Sequence, residues 1–222
     1  MALRELWLGS AAAGARVNSR GARASNSVNN GERDMEIAHR LVERARGGDV
    51  EAFGELVKMY HDRVYGLLCG MVRNADDARD LAQQAWVKGW TRLKGYHGGS
   101  EFFTWMYRIA ANTALDFLRR KARLRENVLP NGVEPAADVS VERAPSETSR
   151  PDREAQRAEV RRMFDEALGT LSPEHRLTLT LREVQGLSYD EIADVMKCRR
   201  GTVMSRLFYA RRKMQECMKE LL

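Results

Sequence analysis

Arg199, Arg200, Thr202, Ser205, Arg206, Tyr209 and Arg212 crowd one short stretch near the C-terminus. Side chains of these types donate to phosphate oxygens and to base edges, the chemistry by which an α-helix reads a DNA major groove. Upstream, Ser188-x-x-Glu191 is a capping box before an apolar run. The spacing predicts a scaffold helix at about Tyr189–Met196, with Ile192, Ala193 and Val195 inward. A second helix follows at about Gly201–Gln215, with Val203, Leu207 and Ala210 inward. Gly201 reads as part of the turn. Together they form a helix-turn-helix pattern, which points to a duplex-DNA ligand.

A second group lies at Tyr96–Arg108. The glycine-rich loop His97-Gly98-Gly99-Ser100 runs into Phe102, Phe103, Trp105 and Tyr107, with Asn112, Arg119 and Arg120 beyond. Rings stack on unpaired bases while cations hold the backbone, so this mixture suits single-stranded DNA. Aromatic residues at helical spacing also build cores. Phe102 is expected inside. Phe103, Trp105 and Tyr107 cannot all share one stripe, so at least one of them is expected to face solvent.

A third group is Asp77, Asp80, Gln83 and Gln84. Asp77, Asp80 and Gln84 fall on one helix face. Acid/base catalysis is rejected, because no His, Cys or Ser completes a motif and acids in a first turn are explained by the helix dipole. A protein-docking face and a plain solvated face fit the residues equally. His39, His61, His97 and His175 show no ligand spacing with one another or with Cys69, Cys198 and Cys217. No metal, cofactor or small-molecule substrate is expected, and no phosphate-cradling or nucleophile-elbow motif is present.

The elements that must position these residues are helical throughout. Val42 and Ala45 continue a helical pattern begun at Ile37 and Leu41, and Gly47-Gly48 stops it. Asp49 caps a helix carrying Phe53, Leu56, Tyr60, Val64, Leu67, Leu68 and Met71 on one stripe. Asn74 or Asp76 restarts a helix with Leu81, Ala85, Trp86 and Trp90. Ser100 or Glu101 opens a fourth, and Ser172-Pro173 another. No segment alternates with period two, so the expected fold is all-α, with no sheet. Residues 127–156 hold Pro130, Pro135, Pro145 and Pro151 among Ser, Glu, Ala and Asp, and read as a flexible linker. The expected domains are a helical bundle at 35–126 and a helix-turn-helix domain at 157–222. Residues 1–34 read as a disordered tail or as sequence upstream of a true start at Met35.

The 222 residues carry a formal net charge of +6, with 31% charged residues. The excess sits in two basic blocks flanking an acidic connector. That balance fits nucleic-acid binding. Three cysteines, an odd number without a C-x-x-C pair, point to a reducing, cytoplasmic setting. No apolar run approaches the roughly 20 residues that span a bilayer.

Three stretches together resemble bacterial extracytoplasmic-function sigma factors of RNA polymerase. Asp77-Ala-Arg-Asp-Leu-Ala-Gln is similar to the family's D-A-x-D-L-x-Q. Thr104-Trp-Met-Tyr-Arg-Ile-Ala-Ala-Asn-Thr-Ala is similar to T-W-L-Y-R-I-A-x-N-x-A. Leu187-Ser-Tyr-Asp-Glu-Ile-Ala with Gly201-Thr-Val-Met-Ser-Arg is similar to L-S-Y-x-E-I-A and G-T-V-x-S-R. The resemblance covers the chain from about Met35 to its end, apart from the linker. It implies that the Asp77–Gln84 face docks on the clamp helices of the polymerase β′ subunit. It implies that the loop and helix from Tyr96 capture unpaired bases of a minus-ten element. The Arg200–Arg212 helix would read a minus-thirty-five duplex while its domain rests on the β flap, and an anti-sigma factor, often membrane-anchored, would hold the protein inactive. Some positions depart from the family pattern. Gln84 replaces an acid, His97 and Gly99 replace the loop's usual Arg and acid, and Met204 and Tyr209 stand where arginine is frequent. Two other readings are an autonomous helix-turn-helix regulator, which lacks an evident dimerisation segment here, and an enzyme with a DNA-binding tail, which lacks a catalytic seat.

Overall fold

The computed structural model describes residues 27–128, 159 and 162–220. The described residues form helices and connecting turns, with no strand among them. Four helices build an N-terminal module: α1 (Ser27–Arg46), α2 (Val50–Val72), α3 (Ala75–Arg92) and α4 (Phe102–Val128). Four more build a C-terminal module. These are α5 (162–169), α6 (Pro173–Leu179, continued by a π-helical turn at Thr180–Val184), α7 (Tyr189–Met196) and α8 (Arg200–Glu220).

Local chemistry sets most of the boundaries. Asp49 accepts the Ala52 amide at 3.0 Å to start α2, and Asn74 accepts the Asp77 amide at 2.8 Å to start α3. Gly48 leaves α1 with φ +98, a left-handed conformation that glycine adopts without steric cost. Ser172 caps α6, with Pro173 in its first turn. Both halves of the Ser188/Glu191 capping box form, at 3.2 and 2.7 Å. The scaffold helix has the bounds expected from the sequence.

Three expectations change. Helix α1 begins at Ser27, eight residues before Met35, and Ile37 lies outside while Ala38 takes the inward position. Helix α4 runs through Val128, two residues into the expected linker, and the rest of that segment lies outside the described residues. So does the expected tail up to residue 26. The turn of the helix-turn-helix uses Lys197, at φ 50, as its left-handed residue, and Gly201 sits inside the first turn of α8.

Helices α2, α3 and α4 pack around Leu56, Leu67, Met71, Leu81, Met106 and Ala110, all essentially closed to water. Gly89 permits the α3–α4 approach, since a Cβ there would stand 3.0 Å from Met106 Sδ. The two modules also touch. Helix α6 with its π-helical turn lies on α2, and α7 lies on α4. Arg176 anchors this contact, only 8% exposed. Its guanidinium donates to the carbonyls of Leu168, Gly169 and Leu171 in its own module and of Met71 in the other, at 2.8–3.3 Å. Burial, and then the nearby Arg73 charge, pushes its pKa down to about 10, so it stays protonated at neutral pH.

Candidate nucleic-acid interfaces

The C-terminal site is built on α7 and α8. Inward Ile192, Val195, Val203, Leu207 and Ala210 are buried, and Ala193 is half-buried. Packing of this stripe turns the opposite side of α8 outward. Arg199, Arg200, Ser205, Tyr209 and Arg212 are exposed there, and Thr202 and Arg206 half-exposed. The structure therefore brings all seven expected residues to one helix and its N-terminal turn. Arg206 is also tied down, its Nη1 lying 3.9 Å from Met196 Sδ. The Arg199 carbonyl accepts the Thr202 and Val203 amides, so the first turn of α8 is closed by backbone rather than by a side-chain cap. Arg200 pairs with Asp190 at 3.3 Å and lies 5.9 Å from the Tyr189 ring. Arg211, which the sequence does not distinguish from its neighbours, is held by Glu183 at 2.6 Å.

The second group divides. Trp105, Asn112 and Arg119 recur every seven residues, two helical turns, so they share one stripe of α4. That stripe is the helix's more open side: Trp105 is half-exposed and Asn112 and Arg119 are exposed, Arg119 in loose ion pairs with Asp116 at 3.4 Å and with Glu174 of α6 at 3.8 Å. Arg120 is exposed one step round the helix, and His97 is exposed in the preceding loop. Tyr96 organises this end. Its hydroxyl donates to the Ser100 carbonyl at 2.5 Å, and its ring lies 5.3 Å from Trp105 and 6.1 Å from Phe102. Burial raises the Tyr96 pKa, which keeps that donor protonated. Gly98, at φ +73, makes the turn that returns the loop to the helix.

Phe103 and Tyr107 occupy the opposite side. Phe103 is half-buried with the Arg63 guanidinium 4.9 Å from its ring centre. Tyr107 is 1% exposed, and its hydroxyl donates to Gln185 Oε1 of the C-terminal module at 2.7 Å. The expectation that Tyr107 touches DNA is therefore corrected for this arrangement, in which it belongs to the core and to the contact between modules. Phe102 is buried as expected, and of the other three aromatics Trp105 stands on the open side.

On α3, Asp80, Gln83 and Gln84 are exposed, while Asp77 is half-buried in an ion pair with Lys121 of α4 at 3.1 Å. Val87 extends this face and is 57% exposed. Sequence reasoning passed over it. Its signal was a β-branched apolar residue seven positions from Asp80, on the polar side of an amphipathic helix. Among the described residues no group of three His, Cys, Asp or Glu side chains is placed to hold a metal ion, and no helix is long and apolar enough to cross a membrane.

Comparison with known proteins matches this layout. The Sigma-70 region 2 family covers residues 56–124 and the Sigma-70, region 4 family residues 161–214. The chain is 38% identical to the RNA polymerase sigma-H factor of Pseudomonas aeruginosa over 188 residues, spanning 85% of this chain and 97% of that one. It is 35% identical to the ECF RNA polymerase sigma-E factor of Haemophilus influenzae over 184 residues, 82% of this chain and 95% of that one. The fold resembles that of CnrH, solved in complex with the cytosolic domain of CnrY, at TM-score 0.59 and 21% identity over 83% of this chain and 98% of that one. It also resembles the sigma factor RpoE of Bartonella quintana, solved with the anti-sigma factor NepR, at TM-score 0.59 and 24% identity over 75% of this chain and 96% of that one. With two helical modules in family order and relatives matched almost end to end, the chain belongs to the ECF family of RNA polymerase sigma factors, which direct transcription initiation at promoters.

Proposed function

We propose that this sigma factor grips its promoter at two places, as intact duplex through α8 and as melted strand through the open side of α4. Arg199, Arg200, Thr202, Ser205, Arg206, Tyr209 and Arg212 meet the minus-thirty-five element. His97, Ser100, Trp105, Asn112, Arg119 and Arg120 meet the unpaired minus-ten strand, while Phe103 stands apart from them on the Arg63 side of α4. Asp77, Asp80, Gln83 and Gln84 dock on the β′ clamp helices, and the C-terminal module rests on the β flap. The bond-making chemistry belongs to the core polymerase, and the chain itself uses no cofactor or small-molecule substrate. It works in the cytoplasm. An anti-sigma protein, the kind of partner the Bartonella quintana relative carries, restrains it.

The observation that carries this reading is the Trp105–Asn112–Arg119 stripe. A ring, an amide and a cation follow one another along one helix side at steps of about 10 Å, so they can serve successive parts of an unpaired strand: one base to stack, another base edge to bond and a more distant phosphate to hold. Run-off transcription with core polymerase, with and without this chain, tests it on a library of candidate promoters. Start sites that appear only with the chain are expected. If added protein never redirects the core enzyme, the reading fails.

A further inference from the structure

The outward side of α8 is not uniformly polar. Met204 is 53% exposed and Phe208 is 61% exposed, on the helix that the proposed function places in the major groove. They are four residues apart and so adjacent on one stripe. Arg200 and Arg212 flank this pair four residues beyond each end, on a row that winds about 120° round the helix. The order along the helix is cation, thioether, ring, cation. Met204, Leu207 and Phe208 also wall a surface notch with Tyr189, rimmed by Arg211 and Arg212.

This order has a chemical match in duplex DNA. Twelve residues of helix extend about 18 Å, while the major groove is about 12 Å wide. The two arginines are therefore far enough apart to reach backbone phosphates beyond the base pairs that Met204 and Phe208 face. Both are in exposed ion pairs, Arg200 with Asp190 at 3.3 Å and Arg212 with Glu216 at 2.8 Å. Such pairs are worth little and give way readily to phosphate. On the groove floor a guanine offers two acceptors, which suit arginine. A thymine offers its C5 methyl group, which suits an apolar contact. A flexible thioether and a ring edge can cover a methyl, and neither can satisfy a guanine.

We propose that Met204 and Phe208 are specificity-determining residues that read thymine methyl groups in the upstream promoter element. The inference rests on the proposed function and specifies which bases that site selects. Apolar side chains held between two cations exclude water from the methyls they cover. They leave a guanine at the same place with unpaired acceptors, which is the source of discrimination.

The test uses holoenzyme assembled from core polymerase and the full chain. The preferred upstream element is first selected from duplexes randomised at that element. Each thymine in it is then replaced by uracil, which keeps the base pair and removes only the methyl. Promoter affinity is expected to fall about fourfold for each methyl contacted, the equivalent of one buried carbon. The double variant Met204→Ala, Phe208→Ala is expected to bind the thymine element more weakly and to be indifferent to uracil. Both side chains are exposed, so its helicity and melting should match the wild type. Met204→Arg is expected to move the preference toward guanine. A selected element lacking thymine, or wild-type holoenzyme that initiates normally but ignores every uracil, overturns the inference and leaves the sigma function standing. Loss of core affinity in the double variant, with no change in uracil response, would make the patch a protein contact instead. Holoenzyme that initiates at no selected promoter brings down the proposed function, and this inference with it.

Discussion

The hydroxyl of Tyr107 donates to Gln185 at 2.7 Å, joining residues 78 positions apart and closing the two modules on one another. Tyr107 also sits edge-on to Phe103 at 5.9 Å and within 5.8 Å of the Arg63 guanidinium. A partly buried neutral hydrogen bond contributes about 1 kcal/mol, and the half-exposed Gln185 can turn to water when its donor is removed. Tyr107→Phe is expected to loosen the contact between modules. Small-angle scattering should show a larger radius of gyration than for the wild type. An unchanged scattering profile would show that packing alone holds the modules.

Stability at high pH gives a second measure of the same group. Burial pushes the Tyr107 phenol up from its ordinary 10.0 to about 12. The folded chain therefore keeps a proton that the unfolded chain loses between pH 10 and 12. Tyr107's contribution is complete below pH 10 and is lost as pH rises toward 12, by about 1.4 kcal/mol for each pH unit of that window. Arg176 acts in the opposite sense. Its pKa is lowered from 12.5 to about 10, so the unfolded chain binds more protons in that range and Arg176's contribution grows with pH. Tyr65 is raised to about 12 as well. The difference between wild type and Tyr107→Phe in urea unfolding isolates Tyr107, and that difference should shrink between pH 10 and 12. A constant difference would mean that the phenol titrates normally.

Arg176 satisfies four carbonyls at once, and Met71 lies in the other module. Arg176→Ala strands these buried acceptors and opens a gap. A loss of about 3 kcal/mol is expected, read from urea unfolding. Arg176→Lys keeps the charge but loses the planar fork, and should recover less than half of the loss. A lysine variant as stable as wild type would show that charge matters more than geometry at this site.

Val87 separates the two readings of the α3 face. It is too exposed for Val87→Glu to change stability by more than about 0.5 kcal/mol. If the face docks on polymerase, a buried carboxylate in that interface should weaken core binding about tenfold or more, measured by fluorescence titration. Unchanged core affinity would mark the face as merely solvated.

Trp105 and Tyr107 differ in side, so they should differ in function. Trp105→Ala is expected to slow promoter opening, followed with a probe of unpaired thymines, while initial closed binding stays within about twofold. A stacked base contributes about 1–3 kcal/mol, so opening should slow about fivefold or more. Opening at the wild-type rate would place Trp105 in the aromatic cluster with Tyr96 and Phe102 and nowhere else.

The residue order by itself determined the helices, their caps and the helix-turn-helix. The Asp49, Asn74, Ser172 and Ser188 caps were legible because each bonds to a backbone amide only three residues away. Buried Val203, Leu207 and Ala210 were legible because a helix repeats every 3.6 residues. The kinship to sigma factors was legible as well, since its motifs are contiguous. Only the tertiary structure decided that Trp105 faces out while Tyr107 faces Gln185, that Lys121 engages Asp77, and that Arg176 is a buried bridge rather than a surface charge. Each of these depends on which element packs against a given helix face. Periodicity shows that a face is apolar or mixed, but the partner that covers it comes from far along the chain, and its choice depends on the summed packing of the whole molecule.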